Sequence, residues 1–150
     1  MLDRNKIGHE FESFSADVEK GRIRMFANAI GENDPIYTDE SAAKESGYKT
    51  IPAPPTFPFV MDMEAKDDLP VVKLLDLNIG KILHGTQEFE YFDRLYAGDT
   101  VTISSKIADI FDKKNGALEF VVVENTYKNQ QGALVVKSKN TLVYRNGGHG

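Results

Sequence analysis

The apolar residues change their spacing near the middle of the chain, and this change predicts two structural halves. From about 18 to 65 they recur at helical spacing, and from about 81 onward they alternate as they do in strands. In the first half, Ser15 is the predicted N-cap of a helix that ends at Gly31. The apolar stripe of that helix consists of Ile23, Phe26, Ala27 and Ile30.

Three further elements are predicted in the first half. A short strand is predicted over 8–14, and a second, short helix opens near Thr38 and closes at Gly47. A third helix is predicted to begin between Pro55 and Pro58, because proline is tolerated in a first helical turn. This helix is apolar on most sides until the run 67–70 ends it, so it is predicted to be long, buried and central.

The second half is predicted to form four strands joined by turns. The predicted strands are 83–92, 100–111, 118–127 and 133–144. The pair Asn115-Gly116 is a strong hairpin signal, and successive tight turns join neighbouring antiparallel strands, so a four-stranded meander is expected. A sheet with one apolar face needs a cover, which the third helix can provide. The pattern therefore predicts the α+β class, with an antiparallel sheet wrapped around a central helix.

Composition narrows the class of protein. The 150 residues predict a single domain over 1–150, with 146–150 expected to be a disordered tail. The net charge of -5 argues against nucleic-acid binding, which needs clustered cations. The absence of cysteine excludes disulfides, thiolate nucleophiles and zinc–cysteine sites. Without a signal peptide or an apolar run long enough to span a bilayer, we expect a cytoplasmic protein that does not bind membranes.

Four stretches, in a fixed order, resemble one protein family along nearly the whole chain. They read AIGENDPIY (29–37), IPAPPTF (51–57), LHGTQEF (83–89) and LYAGDT (95–100). Together they resemble the MaoC-like dehydratase superfamily, in particular its N-terminal-type branch, which resembles the substrate-binding subunit of heterodimeric hydroxyacyl-ACP dehydratases. The resemblance implies the hot-dog fold, a name that the periodicity alone does not supply.

The resemblance also implies an activity and a departure from it. Members of the superfamily add water to a trans-2-enoyl thioester or remove it from an (R)-3-hydroxyacyl thioester, using an aspartate and a histidine of one loop. Here Glu32 falls at the aspartate position, Asp34 at an asparagine position and Tyr37 at the histidine position. Tyrosine, with an ordinary pKa near 10 against about 6.5 for histidine, is a poor proton shuttle at neutral pH. Asp34 is assigned to substrate binding.

Two interpretations of this loop stay open. In the first, the chain keeps the fold and the thioester pocket, the loop is a structural turn, and a second hot-dog chain carries the intact catalytic pair. The substrate then lies across the dimer, and the chain is the substrate-binding subunit of an (R)-specific 3-hydroxyacyl-ACP or -CoA dehydratase in fatty-acid metabolism. In the second, Glu32 acts as the base and Tyr37 as the acid, in a homodimer.

Two further sets of candidate residues follow from the fold that the resemblance implies. His84 is a third candidate catalytic residue, expected to point into the thioester tunnel or across the dimer seam and there to contact the substrate or tune the partner's base. The alternative is a strand residue satisfied by backbone or solvent, and Gly85 beside it is assigned to substrate binding. Pro55, Thr56 and Phe57 begin the covering helix, where the free N–H groups of Thr56 and Phe57 are placed to stabilise a developing enolate oxygen.

The expected ligands and rival functions complete the interpretation. The substrate is acyl-CoA or acyl-ACP, and no cofactor is expected beyond the CoA or phosphopantetheine that the substrate carries. No metal is expected, since the three histidines lack ligand spacing. Dimerisation through sheet edges is expected, with a second copy or a catalytic chain. The rival functions are a non-enzymatic acyl-thioester binding module and a hot-dog thioesterase. Candidate phosphate contacts, each of which also fits a solvated surface charge, are Arg94, Lys106, Lys113 and Lys114.

Overall fold

A five-stranded antiparallel sheet dominates the computed structural model, which describes residues 1–67 and 69–147. Its strands are β1 (Phe14–Asp17), β2 (Ile82–Tyr91), β3 (Thr100–Lys113), β4 (Leu118–Lys128) and β5 (Leu134–Arg145). The α+β class and the hot-dog fold are confirmed, and the four strands of the second half lie within two residues of their predicted bounds. Of the predicted tail, residues 148–150 lie outside the described part of the chain.

The strand order corrects the predicted meander. The order across the sheet is β1-β3-β4-β5-β2, so β2 pairs with β5 instead of its neighbour in sequence, β3. The reason lies in the connection after β2, which is no tight turn. Its backbone pairs with a proline-rich segment, since the Ala53 N–H donates to the Leu95 carbonyl at 2.8 Å and the Ala97 N–H to the Ile51 carbonyl at 2.9 Å. The chain thereby crosses from the edge strand β2 to β3, which lies next to the other edge strand, β1.

The first predicted strand and helix cap are displaced. Residues 8–14 form only an isolated bridge, from Glu10 to Lys106, and the strand itself begins at Phe14. Ser15 therefore lies in β1, where its hydroxyl is 3.0 Å from that of Thr102 across the strand pair, and it caps no helix. The first helix begins five residues later, after Glu19.

Four α-helices lie on the chain before the long strands. They are α1 (Lys20–Ala29), α2 (Glu40–Glu45), α3 (Pro58–Asp62) and α4 (Pro70–Leu74), with 3-10 turns at Arg4–Lys6, Pro35–Tyr37 and Ile79–Lys81. Gly31 and Gly47 follow α1 and α2 with φ of 73° and 92°, so the predicted glycine stops are confirmed. The predicted stripe of α1 is confirmed at Ile23 and Ala27, which are fully buried, whereas Ile30 is 50% exposed.

The covering helix is much shorter than predicted. The amides of Met63 and Glu64 donate to carbonyls three residues back, the tight pattern in which helices commonly end, so α3 has only five residues. Phe57 and Met61 are fully buried beneath it, as the apolar pattern predicts, but Met63 is 66% exposed. A helix of a turn and a half, and not a long one, therefore packs on the inner face of the sheet through Met61.

The interior face of the sheet is not uniformly apolar. In β4 every second side chain is buried, namely Glu119, Val121, Val123, Asn125 and Tyr127. Asn125 lies between two large apolar neighbours on this face, and Ser138 pairs with it from β5 and is 1% exposed. Polar groups are therefore built into the core directly beneath α3.

Candidate functional site

The loop 31–37 is held by its own carboxylates. Glu32 Oε1 accepts a hydrogen bond from the Asp34 N–H at 3.0 Å, and Asp34 Oδ1 accepts one from the Ile36 N–H at 3.1 Å. The second bond caps the 3-10 turn Pro35–Tyr37, as aspartate before proline commonly does. Both acids of the predicted catalytic loop therefore have a structural role in ordering the loop.

Tyr37 is poorly placed to exchange protons. It is 8% exposed, and burial raises the pKa of its hydroxyl, as does the nearby Glu32 carboxylate, while the Arg94 guanidinium opposes the shift. The phenol thus stays protonated through the neutral range, where it can donate a hydrogen bond, and the raised pKa makes it a weaker acid than an ordinary tyrosine. The structure does bring Glu32 and Tyr37 together, and the Arg94 guanidinium lies near the same hydroxyl.

A pocket of about 600 Å³ opens beside the start of α3. Its lining includes Pro54, Pro55, Pro58, Tyr91, Arg94 and Val136. The Tyr91 hydroxyl donates to the Pro55 carbonyl at 2.7 Å and so fixes the edge strand to the proline segment. Arg94 stacks on the Tyr48 ring at 4.8 Å, so its charge faces both the pocket and the loop that contains Tyr37. The pocket is therefore largely apolar, with one cation, Arg94, and one carboxylate, Asp93, in its wall.

The prediction that the Phe57 N–H is free at the start of the helix is wrong. Its N–H donates to the Pro54 carbonyl at 2.9 Å, and the residue is fully buried. Consecutive prolines force a turn before α3, and this turn uses the amide that the prediction left free. Pro55 lines the pocket, whereas Thr56 is an exposed residue whose carbonyl accepts from the Phe59 N–H at 3.1 Å.

His84 and Gly85 lie on the edge strand, away from the pocket lining. His84 is exposed, its Nε2 is 3.2 Å from the Thr86 carbonyl oxygen, and its ring is 5.8 Å from that of Phe59. The register of β2 against β5 shifts between His84 and Thr86, so Gly85 sits in a bulge. A Cβ at Gly85 would lie 2.9 Å from the Thr141 carbonyl oxygen. Close packing against the backbone of β5 therefore explains why a glycine occupies position 85.

Of the four basic candidates, Arg94 alone lines the pocket. Lys106 forms an ion pair with Glu124 at 3.5 Å, and Lys113 lies over the stacked rings of Phe111 and Phe120. Lys114 has φ of 53° in the β3–β4 turn. The solvated interpretation therefore fits these three lysines, whereas Arg94 keeps its assignment as a candidate phosphate contact.

A buried carboxylate that the sequence analysis missed lies at the end of α3. The Tyr127 hydroxyl donates to Asp62 Oδ1 at 2.5 Å, and Asn125 Nδ2 donates to Asp62 Oδ2 at 3.3 Å. Ser138 Oγ is 3.2 Å from the same tyrosine hydroxyl. Burial raises the pKa of Asp62 to about 7, although the Tyr127 hydrogen bond acts in the opposite direction. Burial also raises the pKa of Tyr127.

A sequence signal for this cluster does exist. Asp62 is the one acid in the apolar run 57–63, and Asn125 occupies an inward position of the alternating strand β4. An acid inside an apolar helix and an amide on an apolar strand face are each unusual, and a helix that covers a sheet can bring them together. The pairing itself depends on where α3 crosses the sheet, which the pattern does not specify.

Within residues 1–67 and 69–147, no group of three or more histidine, cysteine, aspartate or glutamate side chains could hold a metal ion. In the same residues, no helix is long and apolar enough to cross a bilayer. His149, one of the three histidines, lies outside the described part of the chain.

Comparison with known proteins gives consistent results. The pattern that defines the "FAS1-like, dehydratase domain region" family matches residues 5–138. A UPF0336 protein of Thermobifida fusca (strain YX) is 36% identical over 145 residues, which cover 96% of this chain and 94% of the relative. Among solved structures, the C-terminally truncated HadBC (3R-hydroxyacyl-ACP dehydratase) complex of Mycobacterium tuberculosis contains a chain that is 25% identical, with a TM-score of 0.77 over 91% of this chain and 96% of that one.

A second solved structure shares the fold at lower identity. The ChsH1-ChsH2 complex of Mycobacterium tuberculosis contains a chain that is 24% identical, with a TM-score of 0.73 over 91% of this chain and 89% of that one. Both solved structures are complexes of named subunits.

Proposed function

The chain belongs to the FAS1-like dehydratase domain region family and to the UPF0336 proteins, and on this premise we propose that it is the substrate-binding subunit of an (R)-specific 3-hydroxyacyl thioester dehydratase. A partner hot-dog chain supplies the catalytic aspartate and histidine. The substrate is an acyl-ACP or acyl-CoA of fatty-acid metabolism, and no cofactor takes part beyond the pantetheine-bearing group of the substrate.

One observation carries this proposal. In the loop that would hold the catalytic pair, the Glu32 carboxylate accepts a hydrogen bond from the Asp34 N–H, and Tyr37 is buried with a raised pKa. The pocket beside the proline-led start of α3 is nevertheless present. In this proposal substrate binding belongs to this chain, and proton transfer belongs to its partner. The likeness to a chain of the HadBC complex, a 3R-hydroxyacyl-ACP dehydratase, supports a role as one subunit of such a complex.

The proposed reaction needs little chemistry from this chain. During hydration, water adds to C3 of the enoyl thioester and a proton adds to C2, and the partner's residues supply and remove the protons. This chain orients the thioester by burying its apolar part in the pocket near Pro55 and Tyr91. Arg94, which shares the wall of that pocket, is placed to meet a phosphate of the carrier.

The free edge of β2 is the proposed seam with the partner chain. Among residues 1–67 and 69–147, this strand pairs on one side only, with β5. Leu83 and Tyr91, near its two ends, are each 49% exposed, and Phe92 just beyond is 51% exposed. A ten-residue edge strand presents a row of backbone groups that another chain can pair with, so pairing through β2 is expected.

Replacing Leu83 with lysine tests this seam. A charge on the exposed edge opposes pairing of two strands, so Leu83→Lys is expected to shift the assembled species toward monomer by at least about tenfold in dissociation constant, without loss of the folded state. Sedimentation velocity across a concentration series measures the shift. Met25→Lys on α1, which also replaces an exposed apolar side chain, is the matched control and should leave the assembly unchanged.

Turnover of crotonyl-CoA, followed by loss of the enoyl-thioester absorbance, tests the proposed function. We expect the lone chain to be at least about a hundredfold slower than its complex with a hot-dog chain that carries an intact aspartate and histidine. In the complex, Glu32→Gln, Tyr37→Phe and His84→Ala should each change kcat by less than about tenfold, because none of them transfers a proton.

Three outcomes of this assay overturn the proposal. Rapid turnover by the lone chain that both Glu32→Gln and Tyr37→Phe abolish would assign catalysis to this loop. Binding without turnover in any hot-dog complex would identify a non-enzymatic binding module. Release of free thiol from an acyl-CoA would identify a thioesterase.

A further inference from the structure

Two cation–aromatic pairs lie side by side at the pocket that opens beside the start of α3. The Arg94 guanidinium lies 4.8 Å from the centre of the Tyr48 ring, and Lys49 Nζ lies 4.4 Å from the centre of the Tyr96 ring. Arg94 and Tyr96 both line the pocket. Because Tyr48 and Lys49 are consecutive, and Arg94 and Tyr96 are two positions apart, the two pairs place both cations in one small region of the pocket wall.

No carboxylate neutralises these two cations. In the described part of the chain, Lys49 and Arg94 form no ion pair, although six other basic side chains do. Asp93, the acid next to Arg94 in the pocket wall, accepts a hydrogen bond from the Arg94 backbone N–H at 2.7 Å. An aromatic ring holds a cation over its face without cancelling its charge. Both cations therefore have a defined position and remain free to bind an anion.

The charges around the two cations limit the size of the anion that fits. Arg94 shares the neighbourhood of the Tyr37 hydroxyl with two carboxylates, those of Glu32 and Asp34. Asp93 adds a third carboxylate in the pocket wall. Two cations among three carboxylates produce no extended positive field, so a ligand with many negative charges gains little from this surface. A single phosphate group that contacts both cations fits better, because its oxygens accept charge-assisted hydrogen bonds from each.

We propose that Lys49 joins Arg94 in a two-cation site for the phosphate group that is bonded directly to pantetheine. This inference rests on the proposed function, because it takes an acyl thioester to occupy the pocket with its pantetheine arm extending past Tyr96. Coenzyme A and acyl carrier protein share this phosphate, whereas the remaining phosphates of coenzyme A lie beyond the two cations. Lys49 is thus a positioning residue that recognises the carrier and does not contact the acyl group.

Three thioesters that differ only beyond the pantetheine arm test the two-cation site by calorimetric titration of the full chain and of its partner complex. They are hexanoyl-pantetheine, hexanoyl-phosphopantetheine and hexanoyl-CoA, none of which undergoes hydration. We expect the phosphopantetheine thioester to bind at least about tenfold more tightly than the pantetheine thioester, because its phosphate adds charge-assisted hydrogen bonds. Hexanoyl-CoA should bind within about threefold of the phosphopantetheine thioester, because solvent and salt screen its additional phosphates.

Substitutions of Lys49 locate the effect. Lys49→Met keeps an unbranched side chain over the Tyr96 ring but removes the charge, so it is expected to weaken the phosphopantetheine thioester by at least about fivefold and to leave the pantetheine thioester unchanged. Lys49→Arg should restore the preference, since it restores the cation. Lys113→Met, which removes a cation over the rings of Phe111 and Phe120 at the other end of the sheet, is the matched control and should leave all three affinities unchanged.

The outcomes separate this inference from the proposed function. If the pantetheine and phosphopantetheine thioesters bind with equal affinity, or if Lys49→Met leaves their difference intact or weakens both alike, the two-cation site is refuted and the thioester-binding role stands. If hexanoyl-CoA binds far more tightly than the phosphopantetheine thioester, the assignment to a single phosphate is refuted. If none of the three binds to the chain or to its complex, the proposed function fails and the inference fails with it.

Discussion

Replacing Asp62 with asparagine is expected to raise the free energy of unfolding at pH 8 by up to about 4 kcal/mol and to flatten its dependence on pH between about 4 and 8. In the folded chain the pKa of Asp62 is raised from 3.8 to about 7 by burial. In the unfolded chain the pKa of Asp62 returns to its ordinary value of 3.8. Between these two pKa values the folded state holds a proton that the unfolded state has lost. Stability therefore falls as the pH rises.

Asparagine fits this site without a charge. The side-chain oxygen of an asparagine at this position can still accept from the Tyr127 hydroxyl, as the carboxylate does. Asn125 has an unpaired Oδ1, and a half-turn of its amide would present that oxygen to the N–H group of the introduced amide. The substitution thus removes a buried charge while the two side chains keep one hydrogen bond between them.

Chemical denaturation at pH 5, 6, 7 and 8 measures this effect. The wild-type chain should lose stability across the series, and Asp62→Asn should lose much less. Asp76→Asn, at an exposed acid that follows α4, is the control and should track the wild type. An unchanged pH slope in Asp62→Asn, or a less stable variant at pH 8, contradicts the assignment of Asp62 as a destabilising buried acid.

The substitution Gly85→Ala is expected to lower the free energy of unfolding by about 1–3 kcal/mol. The added Cβ would lie 2.9 Å from both the Thr141 carbonyl oxygen and Val143 Cγ2. Because the carbonyl belongs to the β5 backbone, relief requires one strand to move away from the other. The bulge that shapes the edge strand, and with it the seam for a partner, should be disturbed as well.

Gly21→Ala is the matched control for this substitution. Gly21 lies in α1, and a Cβ there would meet no heavy atom within 4 Å. Since alanine favours the helix over glycine, stability should rise by about 0.5–1 kcal/mol. Urea denaturation of both variants reports effects of opposite sign, and equal effects in the two would contradict the packing role of Gly85.

The strands were predictable because their side chains alternate over long stretches. The second half of the chain shows this alternation from β2 to β5, and the Asn115-Gly116 signal lies in the turn where φ is 53° and 83°. The position of β2 was not predictable in the same way. Its pairing depends on backbone hydrogen bonds between the segments 51–53 and 95–97, which leave no periodic trace in the sequence.

The first half was harder to predict because its elements are short. An apolar run such as 57–63 fits a long buried helix as well as a single turn and a half, and only the i→i+3 bonds near Met63 decide between them. The loop 31–37 was better specified, since Asp34 before a proline indicates a capped turn and the structure shows one. The Asp62 cluster joins residues about sixty positions apart, so it required the fold.

The central claim is that a thioester lies in the pocket beside the start of α3. A titration of the uniformly ¹⁵N-labelled chain with hexanoyl-CoA, followed by amide chemical shifts, tests it most directly. The account predicts saturable shifts centred on Ala53, Tyr91 and Arg94, which line that pocket. Shifts confined to the opposite sheet edge around Lys106, or no shifts at millimolar thioester with or without the partner chain, would contradict it.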